Sequence, residues 1–147
     1  MDKSDYNCRR TIKEDLSFWR EVYSDPIVKK YFALWGEALT NSKEFWEYLN
    51  LCNRYVVINS QNEIIGGFTI YNKKNKKAEF GIVLHPNFKN KKLGSVLMFY
   101  LESTAKSFGI KNLKAEVYEE NLACLTLLKK HGFKDIIFLE KNILCAE

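Results

Sequence analysis

From Tyr55 onward the hydrophobic period of the chain switches from two to about 3.6 and back, and this limits the fold more than any other feature. Tyr55–Ile58, Ile64–Tyr71 and Lys77–Leu84 are rich in β-branched and aromatic residues. The first two are separated by the polar turn Asn59–Asn62, and the last two by a charged hairpin loop around Asn72–Lys77. Three strands on such short connections imply an antiparallel meander. Next come Leu93, Val96, Leu97, Tyr100, Leu101, Ala105 and Phe108, spaced as one face of a long helix that Gly109 closes. Leu113–Tyr118 reads as a strand. Asn121 caps a helix carrying Leu122, Leu125 and Leu128, which ends at Gly132, and Phe133–Leu139 is a final strand. The resulting order, β-β-β-α-β-α-β, predicts a mixed α/β (α+β) architecture.

The first third is mostly helical. Tyr6–Ile12 can form an edge strand, and Leu16, Trp19, Val22 and Tyr23 follow helical spacing over Glu14–Tyr23. Asp25-Pro26 reads as an N-cap and first helical position, opening a short helix through Val28, Tyr31 and Phe32. Asn41 and Glu44 resemble a capping box before Phe45, Trp46, Tyr48 and Leu49. A length of 147 residues fits one domain spanning 1–147. The 46% hydrophobic content excludes disorder, and only 7 glycines and 2 prolines imply long regular elements.

Several functional classes drop out. No apolar run reaches the roughly 18 residues of a membrane span, and Met1–Tyr6 lacks the apolar region of a secretory signal. Cys8, Cys52, Cys124 and Cys145 are widely spaced, which suits reduced thiols in the cytoplasm and not a zinc site. Gly-x-Ser-x-Gly is absent, and neither His85 nor His131 has a nucleophile beside it in sequence.

One junction carries chemistry. The strand ending Ile82-Val83-Leu84 runs through His85-Pro86-Asn87-Phe88 into Lys89-Asn90-Lys91-Lys92-Leu93-Gly94-Ser95 and the long helix. A helix N-terminus exposes unpaired N–H groups and about half a positive charge. Lys89, Lys91 and Lys92 add to that field, and Gly94 has no side chain to keep a ligand from the backbone. These features suit a phosphate or pyrophosphate. A solvated lysine cluster on an ordinary loop is the competing reading. The net charge of +5 is itself local: Lys73, Lys74, Lys76 and Lys77 give 4 and the junction lysines 3, so the remainder nets −2.

The junction resembles the coenzyme A-binding motif of the GNAT N-acetyltransferase superfamily: a strand ending aliphatic-x-Pro, then Arg/Gln-x-x-Gly-x-Gly/Ala, then a long helix. Leu84-His85-Pro86 matches the strand end and Phe88 the usual aromatic. Lys89 falls on the Arg/Gln position, Lys92 on the first glycine and Gly94 on the second. Asn121, Cys124 and Gly132-Phe133 keep the register of the family's next helix, with Leu128 where a tyrosine is usual. Arg10-x-x-x-Glu14-Asp15 and Ser24-Asp25-Pro26-x-Val28 resemble the branch of ribosomal-protein N-terminal acetyltransferases, a look shared by some amino-sugar N-acetyltransferases. These matches span about residues 6 to 138.

The resemblance implies a mostly antiparallel sheet of about six to seven strands flanked by about four to five helices. It implies acetyl-CoA as cosubstrate, no metal, and direct acetyl transfer to a primary amine on a small molecule or peptide. It implies no nucleic-acid or membrane partner, and a monomer or homodimer. In the family, acetyl-CoA lies where two parallel strands splay apart, here those ending at Leu84 and Tyr118. Backbone groups of Ile82, Val83 and Leu84 would pair with the pantetheine arm. Those of Lys89, Asn90, Lys91, Lys92, Leu93, Gly94 and Ser95 would hold the pyrophosphate, and Asn121 would lie near the pantetheine end or serve as a plain N-cap.

Amine acylation requires a base for the attacking ammonium and stabilisation of the leaving thiolate. Glu79 is the candidate base, with a carboxyl pKa raised by burial, against a plain strand glutamate paired with Lys77. Leu128 cannot donate a proton, so Tyr118, Cys124 or water takes that role. Tyr31, Phe32, Trp35, Phe45 and Trp46 fall where the family's acceptor-site helices lie, mostly as core. Three alternatives stay open: an amino-sugar nucleotide acceptor, a non-catalytic CoA-binding fold, and a polyanion-binding module.

Overall fold

The computed structural model describes residues 5–24, 26, 42–89, 91–116, 122–133 and 138–142. The elements are β1 (Tyr6–Arg10), α1 (Leu16–Ser24), α2 (Ser42–Leu49), β2 (Asn53–Asn59), β3 (Ile64–Lys74), β4 (Lys77–Leu84), α3 (Gly94–Ser107), β5 (Asn112–Glu116), α4 (Leu122–Lys130) and β6 (Phe138–Asn142). Single 3₁₀ turns occupy Lys13–Asp15 and Pro86–Phe88. The strands form one sheet in the order β1-β2-β3-β4-β5-β6. β1–β2 and β5–β6 are antiparallel and β4–β5 is parallel. The two-residue β3–β4 connection permits only an antiparallel pair. The expected mixed, mostly antiparallel α/β architecture is therefore observed.

Several boundaries differ from the sequence reading. The helix expected from Glu14 begins at Leu16, after a 3₁₀ turn at Lys13–Asp15. There the buried Asp15 accepts from Arg9 Nη1 at 2.7 Å, Arg9 Nη2 at 2.9 Å and the Ile12 N–H at 2.8 Å. The Arg-Asp spacing noted in sequence is thus a structural clasp made by Arg9, not Arg10. The last strand is Phe138–Asn142 and not Phe133–Leu139. Phe133 instead ends α4, its N–H bonding Leu128 O at 3.0 Å, with Gly132 at φ +92°. Ile110 and Gly109 repeat this at the end of α3, with Ile110 N on Ala105 O at 3.1 Å and Gly109 at φ +74°. Both are Schellman motifs, in which a left-handed glycine turns the chain back to satisfy terminal carbonyls. Asp25, Val28, Tyr31, Phe32, Trp35 and Asn41 lie outside the described residues.

The chain divides into two compact units. In Met1–Thr69 with Ile82–Leu93, the core is an aromatic cluster of Phe18, Trp19, Val22, Tyr23, Phe45, Leu49, Val56 and Ile58, and Val83 packs against it. Trp19 lies so close to β3 that a Cβ on Gly67 would come within 2.6 Å of Tyr55 O and 2.8 Å of the Trp19 ring. The indole Nε1 donates to Thr11 Oγ1 at 3.1 Å. The buried Arg54 donates to Leu49 O at 2.8 Å, capping α2, and its guanidinium lies 4.6 Å from the Tyr48 ring centre. In Ile70–Gly81 with Gly94–Glu147, the buried residues include Phe80, Leu97, Met98, Leu101, Leu113 and Leu128, and the Phe80 and Phe133 rings meet at 5.5 Å. Phe108, expected on the buried face of α3, is exposed beneath Lys73, whose Nζ lies 4.4 Å from the ring centre.

Candidate functional site

The middle of β4 alternates cleanly. Ala78 and Phe80 are buried on one face, and Glu79 and Gly81 are half-buried on the other. The β3–β4 turn is Asn75-Lys76, both left-handed at φ +53° and +65°, the type I′ geometry that matches sheet twist. A two-residue turn fixes the register and sets Asn72 directly opposite Glu79. Asn72 Nδ2 donates to Glu79 Oε2 at 2.5 Å. Asn72, and not Lys77, is therefore the partner of the glutamate.

On the other side, β4 meets β5 in parallel register, with Lys77 against Asn112, Ala78 against Leu113 and Glu79 against Lys114. Among the described residues this pairing goes no further, although β4 runs to Leu84 and β5 to Glu116. Glu79 thus sits at the last rung of the pairing among the described residues. Two residues on, a Cβ built on Gly81 meets nothing within 4 Å. A glycine inside a strand weakens it, and one facing empty space marks a place for close approach by something else.

The loop after β4 is locally well tied. His85 N–H bonds Ile65 O at 2.9 Å. His85 Nδ1 accepts from Asn87 N–H at 3.1 Å, which puts the ring proton on Nε2, 2.6 Å from Glu21 Oε2. The imidazole also stacks on Phe18, centroids 6.0 Å apart. Lys91 and Lys92 are exposed, and Lys91 Nζ lies 5.4 Å over the Phe88 ring. Lys92 is left-handed at φ +60°, a conformation that explains why a glycine suits that motif position. Leu93 is buried and anchors the end of the loop.

Gly94 needs a different explanation from the one its sequence position suggests. A Cβ there would lie 2.8 Å from Leu127 Cδ2, so the glycine lets α3 and α4 pack closely. Ser95 Oγ lies 3.1 Å from His131 Nε2, a pairing across 36 residues that no local pattern reveals. Asn90, Tyr118 and Asn121 lie outside the described residues. Leu128 is wholly buried. Burial pushes the Cys124 thiol up to about 11, so it keeps its proton at neutral pH. Phe45 is core, whereas Trp46, with Lys13, Leu16, Lys43 and Glu47, lines an open cavity of about 340 Å³. Among the described residues no three His, Cys, Asp or Glu side chains gather as metal ligands, and no helix is long and apolar enough to cross a membrane.

The family model of the acetyltransferase (GNAT) family matches residues 16–133. The chain belongs to the GNAT acetyltransferase family. It is accordingly an acetyl-CoA-dependent acyltransferase. Among solved structures, it is similar to a spermidine N-acetyltransferase from Vibrio cholerae in complex with CoA and spermine. The TM-score is 0.85 at 18% identity, covering 97% of this chain and 98% of that one. An N-acetyltransferase from Staphylococcus aureus Mu50 gives a TM-score of 0.75 at 21% identity over 94% and 98%. The protein yncA from Salmonella typhimurium, solved with its cofactor acetyl-CoA, gives 0.74 at 18% over 95% and 94%. Such identities establish the fold. No curated protein matches the sequence.

Proposed function

We propose that the chain, acting as one catalytic domain, transfers acetyl from acetyl-CoA to a primary amine of a small molecule or peptide, with Glu79 as the base. The observation that carries this reading is the coincidence of three features on β4. Among the described residues the parallel ladder runs to Glu79, the same residue presents a half-buried carboxylate, and open space lies on its face at Gly81. Backbone groups of Ile82–Leu84 hold the pantetheine arm, and the Lys89–Ser95 segment with the α3 N-terminus holds the pyrophosphate. Asn121 and Tyr118 complete the cofactor arm and the proton donor.

The chemistry is a direct displacement. Glu79, through a water, accepts the proton of the acceptor ammonium. The freed nitrogen lone pair forms the C–N bond at the thioester carbonyl while the C–S bond breaks. The sulfur leaves with the bonding pair and takes a proton from Tyr118 or water, and the acylated nitrogen gives up its remaining extra proton to that donor or to solvent, leaving a neutral amide. Alignment of two bound reactants supplies about 7–11 kcal/mol, so loss of one proton-transfer group lowers the rate without abolishing it. The similar spermidine N-acetyltransferase suggests small polyamines as the first acceptors to test.

The test is thiol release from acetyl-CoA over a panel of polyamines, amino sugars and peptides. Glu79→Gln should lower kcat by about 10²–10⁴-fold. Gly81→Ala, whose Cβ meets nothing within 4 Å, should raise the acetyl-CoA KM several-fold while leaving the melting temperature in place. Thiol release on no acceptor, or full activity of Glu79→Gln, would remove the reading of Glu79.

A further inference from the structure

From the geometry around Glu79 we infer that Asn72 is a positioning residue for acetyl transfer: its amide holds one oxygen of the Glu79 carboxylate and leaves the other turned to the proton it must accept. This rests on the reading of Glu79 as the base.

Three observations converge on Asn72. Its side chain donates to Glu79 Oε2 at 2.5 Å, the one hydrogen bond of that carboxylate among the described residues. Its backbone is left-handed, φ +50°, within β3, a region that L-residues occupy at a penalty and that asparagine tolerates best. Finally, it belongs to a cross-strand row. The hairpin register sets Asn72 against Glu79, the parallel ladder sets Glu79 against Lys114, and the antiparallel ladder sets Lys114 against Glu140.

The row crosses the sheet at the last described rung of the β4–β5 pairing. A carboxylate there is flanked by an amide donor on one strand and an ammonium-bearing residue on the other. Asn72 donates a neutral hydrogen bond to the carboxylate and removes one of its rotations. Lys114, half-buried on β5, is the charged group registered beside it. Orientation of this kind acts on kcat and leaves acetyl-CoA binding alone, because the bond is made to the base and not to the cosubstrate.

Asn72→Gly is the decisive variant, since glycine accepts the left-handed backbone and removes only the amide. The expected result is an unchanged or higher melting temperature, a kcat about tenfold lower, and an unchanged acetyl-CoA KM. In a Glu79→Gln background the same substitution should produce no further loss. Asn72→Asp keeps shape and backbone but sets a like charge beside Glu79, and should move the acidic limb of the kcat–pH profile upward. If Asn72→Gly keeps full kcat while Glu79→Gln loses it, Asn72 positions nothing. An equal loss in the Glu79→Gln background would make its role purely structural. If Glu79→Gln keeps full kcat, the base itself is misassigned and the inference falls with it.

Discussion

Lys92→Gly tests a place where the loop before α3 departs from the GNAT pattern in a strained conformation. Lys92 is exposed and held at φ +60°. For an L-residue the left-handed region carries a penalty of roughly 1–2 kcal/mol, because Cβ crowds the following carbonyl oxygen. Glycine removes that penalty but loses roughly 0.5–1 kcal/mol more backbone freedom on folding. The difference leaves a net gain of up to about 1.5 kcal/mol, which for a chain of this size is a rise of up to about 6 °C in melting temperature. Lys92→Ala separates backbone from charge: it removes the ammonium and keeps the strained φ, so it should not raise the melting temperature. Both variants lose one positive charge near the α3 N-terminus, so any shared change in acetyl-CoA KM reports the lysine and not the backbone. Differential scanning calorimetry with acetyl-CoA titrations measures both effects. A Lys92→Gly protein no more stable than Lys92→Ala would refute the strain argument.

Two further outcomes follow from packing and burial. Gly67→Ala would drive a methyl into Tyr55 O at 2.6 Å and the Trp19 ring at 2.8 Å, and since a backbone carbonyl cannot swing aside, the loss should be about 1–3 kcal/mol or more by urea denaturation. Cys124 is protonated in the fold up to about 11 against an ordinary 9.0, so near pH 8 its thiolate fraction, and its alkylation rate by iodoacetamide, should lag an unshielded cysteine by about 100-fold. The same shift sets a direction for stability. Above pH 9 the unfolded thiol releases its proton and the folded one does not, so stability falls between about 9 and 11, seen as an alkaline drop in melting temperature that Cys124→Ala reduces.

Much of the fold was legible because periodicity reports burial directly. The strands at Lys77–Leu84 and Ile64 onward, the long helix before Gly109, and the closing glycines Gly109 and Gly132 all stand where hydrophobic spacing and C-cap chemistry put them. The errors fall where tertiary contacts override local pattern. Phe108 satisfied the helical stripe but sits past the last turn, where Lys73 covers it from another strand. Phe133 looked like the start of a strand but closes a Schellman motif. Arg10 and Arg9 are neighbours in sequence, and only the turn at Lys13–Asp15 selects Arg9 for Asp15.

At the candidate site the division has the same cause. The sequence alone determined the order of strands and helices, the lysine-rich junction before α3, and a lone glutamate in a strand that suits proton transfer, because each depends on residue type and spacing along one stretch of chain. Tertiary structure decided the partners. Asn72 reaches Glu79 through a hairpin register, the described parallel pairing with β5 runs to that same residue, Gly81 faces open space, and Gly94 is small because Leu127 lies against it. Each of these is a distance between segments far apart in the chain, and such distances are set by how strands register and helices pack, which no single stretch of sequence records.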